Sequence, residues 1–220
     1  MSRNVGIGKI NRAMLYGILD MGYVIKSEMM CVVRGLLEGG VGVIQLRAKG
    51  YDAEGVTSLL HEYAPNLLPL CQSFEVPLII NDFPEVAHAI GADGVHIGQD
   101  DGSLVDVRSV ISDSMIVGRS THSPEQARAA LAEGFDYIGF GPLFPTPTKK
   151  GRAGIGLESI AEVENDVGNE IPVFCIGGIK RDNLELVLAS GARRVVIVSA
   201  LLQAESIPAE ASDVITCLST

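Results

Sequence analysis

The sequence has few cationic side chains for its length. Across 220 residues, 17 Lys and Arg stand against 27 Asp and Glu, so the formal net charge is −10. A surface this acidic argues against nucleic acid and against anionic membranes as partners. The same charge would disfavour phosphorylated ligands as well, unless the few cations are gathered where such a ligand binds.

Closely spaced cysteines and long apolar runs are also missing. The four cysteines form no CxxC pair, which excludes the common zinc and redox motifs and predicts free thiols; they are Cys31, Cys71, Cys175 and Cys217. The apolar stretch at 14–19 is too short for a signal peptide or a membrane span. We therefore expect a reduced, cytoplasmic protein, and the 47% of apolar residues predicts a folded core.

Short runs rich in Val and Ile alternate with longer segments of helical spacing. Eight such runs can be counted, at 16–20, 41–47, 77–82, 94–99, 115–120, 137–142, 172–178 and 194–200. Runs that are apolar throughout, rather than alternating, are typical of parallel strands covered on both faces. Eight units without a linker predict an α/β fold in which residues 1–220 form one (β/α)8 TIM barrel. A doubly wound open sheet is the structural alternative.

Helix punctuation supports the same repeat. Ser123, Pro124 and Gln126 combine an N-cap serine, a proline at the first helical position and a glutamine at the third. A glycine that ends a helix recurs shortly before four of the expected strands, at Gly39, Gly91, Gly134 and Gly191. In a barrel built this way, the chemistry belongs at the carboxyl ends of the strands.

Two strand ends near the carboxyl terminus of the chain predict a phosphate site. Gly177 and Gly178 close the seventh strand and allow a ligand to approach the backbone closely. Val198 and Ser199 open a short extra helix after the eighth strand, and backbone N–H groups at this place in barrels commonly bind phosphate. The alternative is that the two glycines only make a tight turn.

Carboxylates and cations at other strand ends predict a second site, for a metal-bound diphosphate. Asp82 and Asp101 end neighbouring strands and could share one Mg²⁺ together with substrate phosphates. Arg47 and Lys49 lie two apart and point the same way. Further cations follow the sixth strand, at Lys149, Lys150 and Arg152, within a long loop (143–156) that could close over a ligand. Helix capping by the aspartates and a solvated basic loop are the alternatives.

A phosphate site beside a diphosphate site suggests a transferase, in which diphosphate leaves one substrate and a phosphorylated nucleophile replaces it. No catalytic triad, activated cysteine or nucleophile elbow indicates a covalent enzyme intermediate. His122, at a strand end, is a candidate for contact with substrate. His96, inside a strand, is expected to be a hydrogen-bonded core residue.

Six motifs together resemble the thiamine phosphate synthase family in order and spacing. They are QLRAK at 45–49, IND at 80–82, GADGVHIGQDD at 91–101, GRSTHS at 118–123, GPLFPTPTK at 141–149 and IGGI at 176–179. The resemblance runs over about 16–200. It implies a (β/α)8 barrel that joins a hydroxymethylpyrimidine diphosphate to a thiazole phosphate, with Mg²⁺ as cofactor and small molecules as the only expected partners.

The resemblance also implies roles for individual residues. Mg²⁺ would be held by Asp82 and Asp101. The pyrimidine diphosphate would contact Gln45, Arg47, Lys49, Asn81, Ser120 and Lys149, of which Arg47, Lys49, Ser120 and Lys149 would be catalytic. The thiazole phosphate would meet Thr146, Thr148, Gly178, Val198 and Ser199. The reaction implied is a dissociative substitution at the pyrimidine methylene.

Some positions depart from the family's commoner pattern, and two other functions stay open. Arg119 replaces a small apolar residue, and its charge could assist diphosphate or pair with an acid. Ala48 and Phe83 also differ from the usual residues. The alternatives are a thiazole tautomerase of the same superfamily, with a histidine near His122 moving protons, and a non-catalytic barrel that binds phosphorylated ligands. A homo-oligomer remains an option.

Overall fold

The computed structural model describes residues 3–146 and 153–219. Its strands are β1 (Leu15–Asp20), β2 (Val43–Arg47), β3 (Leu78–Asn81), β4 (Gly94–Ile97), β5 (Ile116–Thr121), β6 (Tyr137–Phe140), β7 (Val173–Ile176) and β8 (Val195–Ile197). The helices are α1 (Arg3–Arg12), α2 (Met29–Glu38), α3 (Ala53–Ser73), α4 (Pro84–Ile90), α5 (Leu104–Val110), α6 (Pro124–Glu133), α7 (Ile160–Asp166), α8 (Arg181–Ala189), α9 (Ser199–Leu202) and α10 (Ile207–Leu218).

The strands form a closed parallel barrel in sequence order, which confirms the predicted fold. Each strand pairs with the next, and β1 closes the ring on β8 with Leu15 opposite Val195. Every predicted apolar run coincides with one strand. Six strands are shorter than the predicted runs by two to four residues, whereas β1 begins and β5 ends one residue outside its run. The open-sheet alternative is excluded.

Two apolar layers explain why the strands lack polar alternation. The larger layer lies between the strands and the surrounding helices, and the smaller one fills the barrel interior. Ile10 and Ala13 at the end of α1 belong to the interior layer, so this helix closes the barrel at the amino ends of the strands. The opposite end is left for the site.

The helix signals read from the sequence are present. The Ser123 side chain accepts a hydrogen bond from the Gln126 backbone N–H, and Gly134 ends α6 in the left-handed conformation with φ of 94°. The short helix predicted after the eighth strand is α9. Within the described residues, no helix is both long and apolar enough to cross a membrane.

Candidate active site

One cavity of about 520 Å³ opens at the carboxyl ends of the strands. This volume is in the range of small-molecule sites. Eight of the residues to which the family resemblance assigns a role line it: Gln45, Arg47, Asn81, Ser120, Thr146, Gly178, Val198 and Ser199. They come from β2, β3 and β5, from the segment after β6, and from the ends of β7 and β8, so the barrel gathers positions up to 154 residues apart.

A buried ion pair fixes Arg47, one of the cations predicted to contact a diphosphate. Arg47, at the end of β2, donates from Nη1 to Oδ2 of Asp20 at the end of β1, and both side chains are almost fully buried. The Gly22 backbone N–H donates to the other oxygen of Asp20 at 2.9 Å. Asp20 was not predicted as a site residue, although it ends a strand as Asp82 does. Its carboxylate therefore holds Arg47 against the cavity wall.

Asp82 and Asp101 lie close enough to interact with each other, and neither is among the residues that line the cavity. Burial and the charge of Asp101 raise the pKa of Asp82 to about 6, while Arg47 and Lys49 act in the opposite direction. The backbone of Asp82 has φ of 66°, a strained conformation for a residue other than glycine. The Gly98 backbone N–H donates to Oδ2 of Asp101 at 2.7 Å. Two adjacent, mutually repelling carboxylates are a donor set that suits a hard divalent cation.

Lys49 stays outside the cavity lining. Its side chain is exposed, yet its charge reaches Asp82. No group of three or more His, Cys, Asp or Glu that could hold a metal occurs in residues 3–146 or 153–219. The carboxylate pair alone therefore leaves most positions around a cation to other oxygens, such as those of a substrate.

The far side of the cavity is the corner formed by β7 and β8. Gly177 and Gly178 have φ of 103° and 67°, and a Cβ on Gly178 would come within 2.8 Å of the Phe144 side chain. The two glycines are therefore required by the tight turn itself, as the alternative interpretation expected, because this backbone needs glycine even without a ligand. Val198 is the N-cap of α9, and Val198, Ser199 and Ala200 line the cavity at the same corner.

Part of the predicted loop lies outside the described residues. This applies to Thr148 and to the cations at Lys149, Lys150 and Arg152, and with them to closure of the loop over a ligand. Thr146, just before that segment, lines the cavity.

A chain of side-chain hydrogen bonds crosses the barrel interior, and all five of its residues line the cavity. Gln45 Nε2 donates to the Tyr16 hydroxyl at 2.9 Å, and that hydroxyl is 3.0 Å from the hydroxyl of Tyr137. The Tyr137 hydroxyl is 3.0 Å from Nδ1 of His96, whose Nε2 is 3.0 Å from Oγ of Ser120. Gln45 and Ser120, which both have predicted roles in binding, are therefore linked through three residues that have no predicted binding role.

Burial raises the pKa of both tyrosine hydroxyls, so they are protonated at neutral pH. Because Tyr16 accepts from Gln45, its own hydroxyl donates to Tyr137, and the Tyr137 hydroxyl donates to Nδ1 of His96. In this direction both buried tyrosine protons have an acceptor. His96 then carries its proton on Nε2 and donates to Ser120. The expectation that His96 is a hydrogen-bonded core residue is confirmed, but its ring also lines the cavity.

The sequence contained one signal for the two tyrosines. A tyrosine inside an otherwise apolar strand needs a partner for its hydroxyl, but the sequence does not say that β1 and β6 aim their rings at each other. Gly118 makes room for this arrangement, because a Cβ there would come within 2.1 Å of the Tyr137 ring.

His122, the other candidate histidine, lines the cavity. Its Nδ1 lies against the carbonyl oxygen of Gly141, which can only accept, so Nδ1 carries a proton. Its backbone N–H donates to Oε1 of Gln126 at 2.8 Å. The ring is therefore fixed in orientation at the cavity wall.

Comparisons with known proteins agree on one family. The family model described as thiamine monophosphate synthase matches residues 15–201. The chain is 45% identical over 168 residues to the thiamine-phosphate synthase of Thermus thermophilus, covering 76% of this chain and 78% of the relative. It is 39% identical over 207 residues to the thiamine-phosphate synthase of Bacillus thuringiensis, covering 91% and 93%.

Solved structures extend this agreement. The thiamine phosphate pyrophosphorylase of Pyrococcus furiosus matches with a TM-score of 0.82 and 31% identity, over 96% of this chain and 97% of that one. A geranylgeranylglyceryl phosphate synthase from Thermoplasma acidophilum has a TM-score of 0.72 at 14% identity over 99% and 98%, which shows the shared barrel alone. The chain belongs to the thiamine monophosphate synthase family and is a transferase of thiamine biosynthesis.

Proposed function

We propose that this cytoplasmic barrel joins hydroxymethylpyrimidine diphosphate to a thiazole phosphate and releases diphosphate. The observation that supports this proposal is the two-sided cavity. Arg47 and Asn81 line one side, next to Asp82, and Gly178, Val198 and Ser199 line the other. A site with cations and paired carboxylates at one end and a backbone phosphate corner at the other suits two ligands, one with a diphosphate and one with a phosphate.

The diphosphate end would promote departure of the leaving group. Arg47, held by Asp20, and Lys49 would place positive charge against the diphosphate oxygens. Asp82 and Asp101 would hold Mg²⁺, which supplies charge neutralisation to the leaving group when bound. Lys149 would add a further cation by family resemblance.

The hydrogen-bonded chain would orient the pyrimidine. In the order favoured above, His96 donates to Ser120, so the Ser120 hydroxyl keeps its own proton for the ligand. Gln45, which donates from Nε2 to Tyr16, presents its amide oxygen in a fixed direction. Together with Asn81, these groups would hold the ring so that its methylene carbon faces the thiazole.

The bond changes then need no base from the protein. The bond between the methylene carbon and the diphosphate oxygen breaks with its electron pair on the oxygen, and the electron-rich pyrimidine carries the developing positive charge. The thiazole nitrogen supplies the pair for the new C–N bond and loses no proton. What the chain contributes is orientation and charge stabilisation.

A component-omission assay tests the proposal. Purified protein is incubated with both substrates and Mg²⁺, and released diphosphate is measured with each of the three left out in turn. We expect release only in the complete mixture. Release without the thiazole phosphate would point to a hydrolase, and full release in excess EDTA would contradict the role of the carboxylate pair.

The same assay separates the alternatives. A thiazole tautomerase would convert its thiazole substrate without any pyrimidine diphosphate and would release no diphosphate. A non-catalytic barrel would bind the ligands and release nothing over hours. Either result would overturn the proposal.

A further inference from the structure

Arg119 is the departure from the family pattern that the proposed mechanism does not use. It lies on β5, immediately before Ser120, and its side chain is half-buried. Within residues 3–146 and 153–219 it forms no ion pair with an acid, and it does not line the cavity. Its Nη1 donates to the carbonyl oxygen of Gly102 at 2.7 Å and its Nη2 to that of Gln99 at 3.2 Å. Its guanidinium carbon lies 5.3 Å from the centre of the Phe135 ring, which supports the plane of the fork.

The two carbonyl groups bracket Asp101. The segment 99–102 connects β4 to α5 and has only one residue, Asp100, between Gln99 and Asp101. Gly102, at its end, has φ of 100°. The same segment is tied to β5 a second time, because Nε2 of Gln99 donates to the Ser120 carbonyl oxygen at 2.6 Å. Its conformation is therefore set partly from the neighbouring strand and partly by a local turn, in which the Asp101 backbone N–H donates to the Gly98 carbonyl oxygen at 3.4 Å.

The carboxylate of Asp101 is fixed within this frame. Its Oδ2 accepts from the Gly98 backbone N–H, and a Cβ on Gly98 would come within 2.7 Å of that oxygen. Asp101 itself is exposed, so packing does little to hold it. Without the bonds from Arg119, this exposed segment would keep only the bonds of Gln99 and Gly98, and any further ordering required when a cation binds would reduce the binding free energy.

We propose that Arg119 is a positioning residue for the metal: its fork holds both ends of segment 99–102 and so keeps Asp101 beside Asp82. The inference rests on the proposed function, because it takes those two carboxylates as the Mg²⁺ ligands. The positive charge of Arg119 would by itself disfavour a cation nearby. If Arg119 acts by holding the segment, its removal should weaken metal binding. If it acts only through its charge, its removal should strengthen metal binding.

The experiment measures Mn²⁺ affinity directly. Mn²⁺ prefers the same oxygen ligands as Mg²⁺ and is observed by electron paramagnetic resonance. The wild type, Arg119→Met and Arg119→Lys are titrated with Mn²⁺ in the presence of inorganic diphosphate. We expect the Kd of Arg119→Met to rise about 10-fold to 100-fold, the range found when groups that orient metal ligands are removed. Arg119→Lys keeps the charge but cannot reach two carbonyls as a fork, so its Kd should rise by a smaller factor.

A second measurement distinguishes positioning from general damage. In steady-state assays, Arg119→Met should require more Mg²⁺ for half-maximal rate, while kcat at saturating Mg²⁺ stays within about 3-fold of the wild type. Arg108→Met is the matched control. Arg108 also donates to a backbone carbonyl, that of Met115 at 2.7 Å, but lies beside Asp136 at the closed end of the barrel. This variant should lose stability and keep the wild-type Kd for Mn²⁺.

Each result has a defined meaning. An unchanged or tighter Kd in Arg119→Met, with binding abolished in Asp101→Asn, would overturn the inference and leave the metal site intact. No Mn²⁺ binding by the wild type would overturn the metal site, and the inference with it. Should Arg119→Met fail to fold, Arg119→Lys alone decides, since a wild-type Kd in that variant would show that the fork is not needed.

Discussion

Asp82 has two properties that reduce the stability of the folded chain. Its φ of 66° is strained, and the charge of Asp101 opposes its ionisation in a partly buried position. Both properties are useful only if something binds there, since a divalent cation would relieve the repulsion. Sites that hold such uncompensated charge commonly trade stability for function.

Asp82→Asn should therefore stabilise the metal-free protein while abolishing turnover. The pKa of Asp82 rises from 3.8 in the unfolded chain to about 6 when folded. Hence the folded state binds the proton more tightly, and ionisation costs stability that is absent below about pH 3.8 and complete above about pH 6. Removing the charge should raise the free energy of unfolding by about 1 to 2 kcal/mol at pH 8, after allowance for solvent screening, and by little at pH 4. Asparagine also tolerates a positive φ.

Urea unfolding in EDTA at pH 4 and pH 8 measures this effect. Asp101→Asn is the control: it removes the charge of Asp101, which is the other partner in the same repulsion, so it should shift the free energy of unfolding in the same direction. With Mg²⁺ and diphosphate added, the wild type should regain the advantage. A variant less stable than the wild type at pH 8 in EDTA would contradict the raised pKa.

At the scale of the elements, prediction from sequence worked where signals repeat. Eight apolar runs and their helix caps are enough to predict the barrel. Because the fold brings the carboxyl ends of all strands to one edge, the position of Gln45, Asn81 and Ser120 at strand ends is enough to predict that they meet there. The buried chain could not be predicted in this way. Tyr16 and Tyr137 are 121 positions apart, and which ring faces which depends on the closed geometry of β1 and β6. Likewise, the partner of Asp20 follows from register, since Asp20 pairs with Arg47 across β1 and β2.

Tyr137→Phe tests whether the chain between the strands orients the substrate. The change removes the acceptor of Tyr16 and the donor to Nδ1 of His96, and it leaves the ring that packs edge-on against Phe174. Because Gln45 and Ser120 would lose the chain that orients them, kcat/KM for the pyrimidine diphosphate should fall roughly 10-fold to 100-fold. The buried groups left without a partner should also lower the free energy of unfolding by about 1 to 3 kcal/mol. The ¹⁵N shifts of His96 should show loss of the single tautomer. Tyr63→Phe, on α3, is the control and should match the wild type; an unchanged kcat/KM in Tyr137→Phe would show that the chain only packs the core.

For the whole molecule, the net charge of −10 matters less than where charges are placed. Two cations near the strand ends line the cavity: Arg47 on β2 and Lys180 between β7 and α8. Arg181 pairs instead with Asp213 on α10 at 2.8 Å, so it serves the surface. Acids beyond about 8 Å of the ligand are largely screened at physiological salt. The acidic exterior and a phosphate-binding mouth are thus compatible.

The closed end of the barrel has its own charge cluster, and its contribution should be to stability alone. Asp136, just before β6, accepts from Nη2 of Arg3 at 2.7 Å, from Nη2 of Arg108 at 3.0 Å and from the Val117 backbone N–H at 2.9 Å. These bonds tie α1 and α5 to the amino ends of the strands, away from the cavity. In barrels of this kind the amino ends carry stability and the carboxyl ends carry chemistry.

Asp136→Ala should therefore lower the free energy of unfolding by about 2 to 4 kcal/mol, because the guanidinium groups of Arg3 and Arg108 and the buried Val117 N–H each lose an acceptor. Turnover per folded molecule at 25 °C should stay within about 2-fold of the wild type. Thermal unfolding and an active-site titration with labelled pyrimidine diphosphate measure the two quantities separately. If Asp136→Ala does not accumulate, Asp136→Asn keeps one acceptor oxygen and should show a smaller loss in the same direction. A drop in turnover without a drop in stability would mean that the two ends of the barrel are coupled, and that α1 reaches the site through the interior layer it closes.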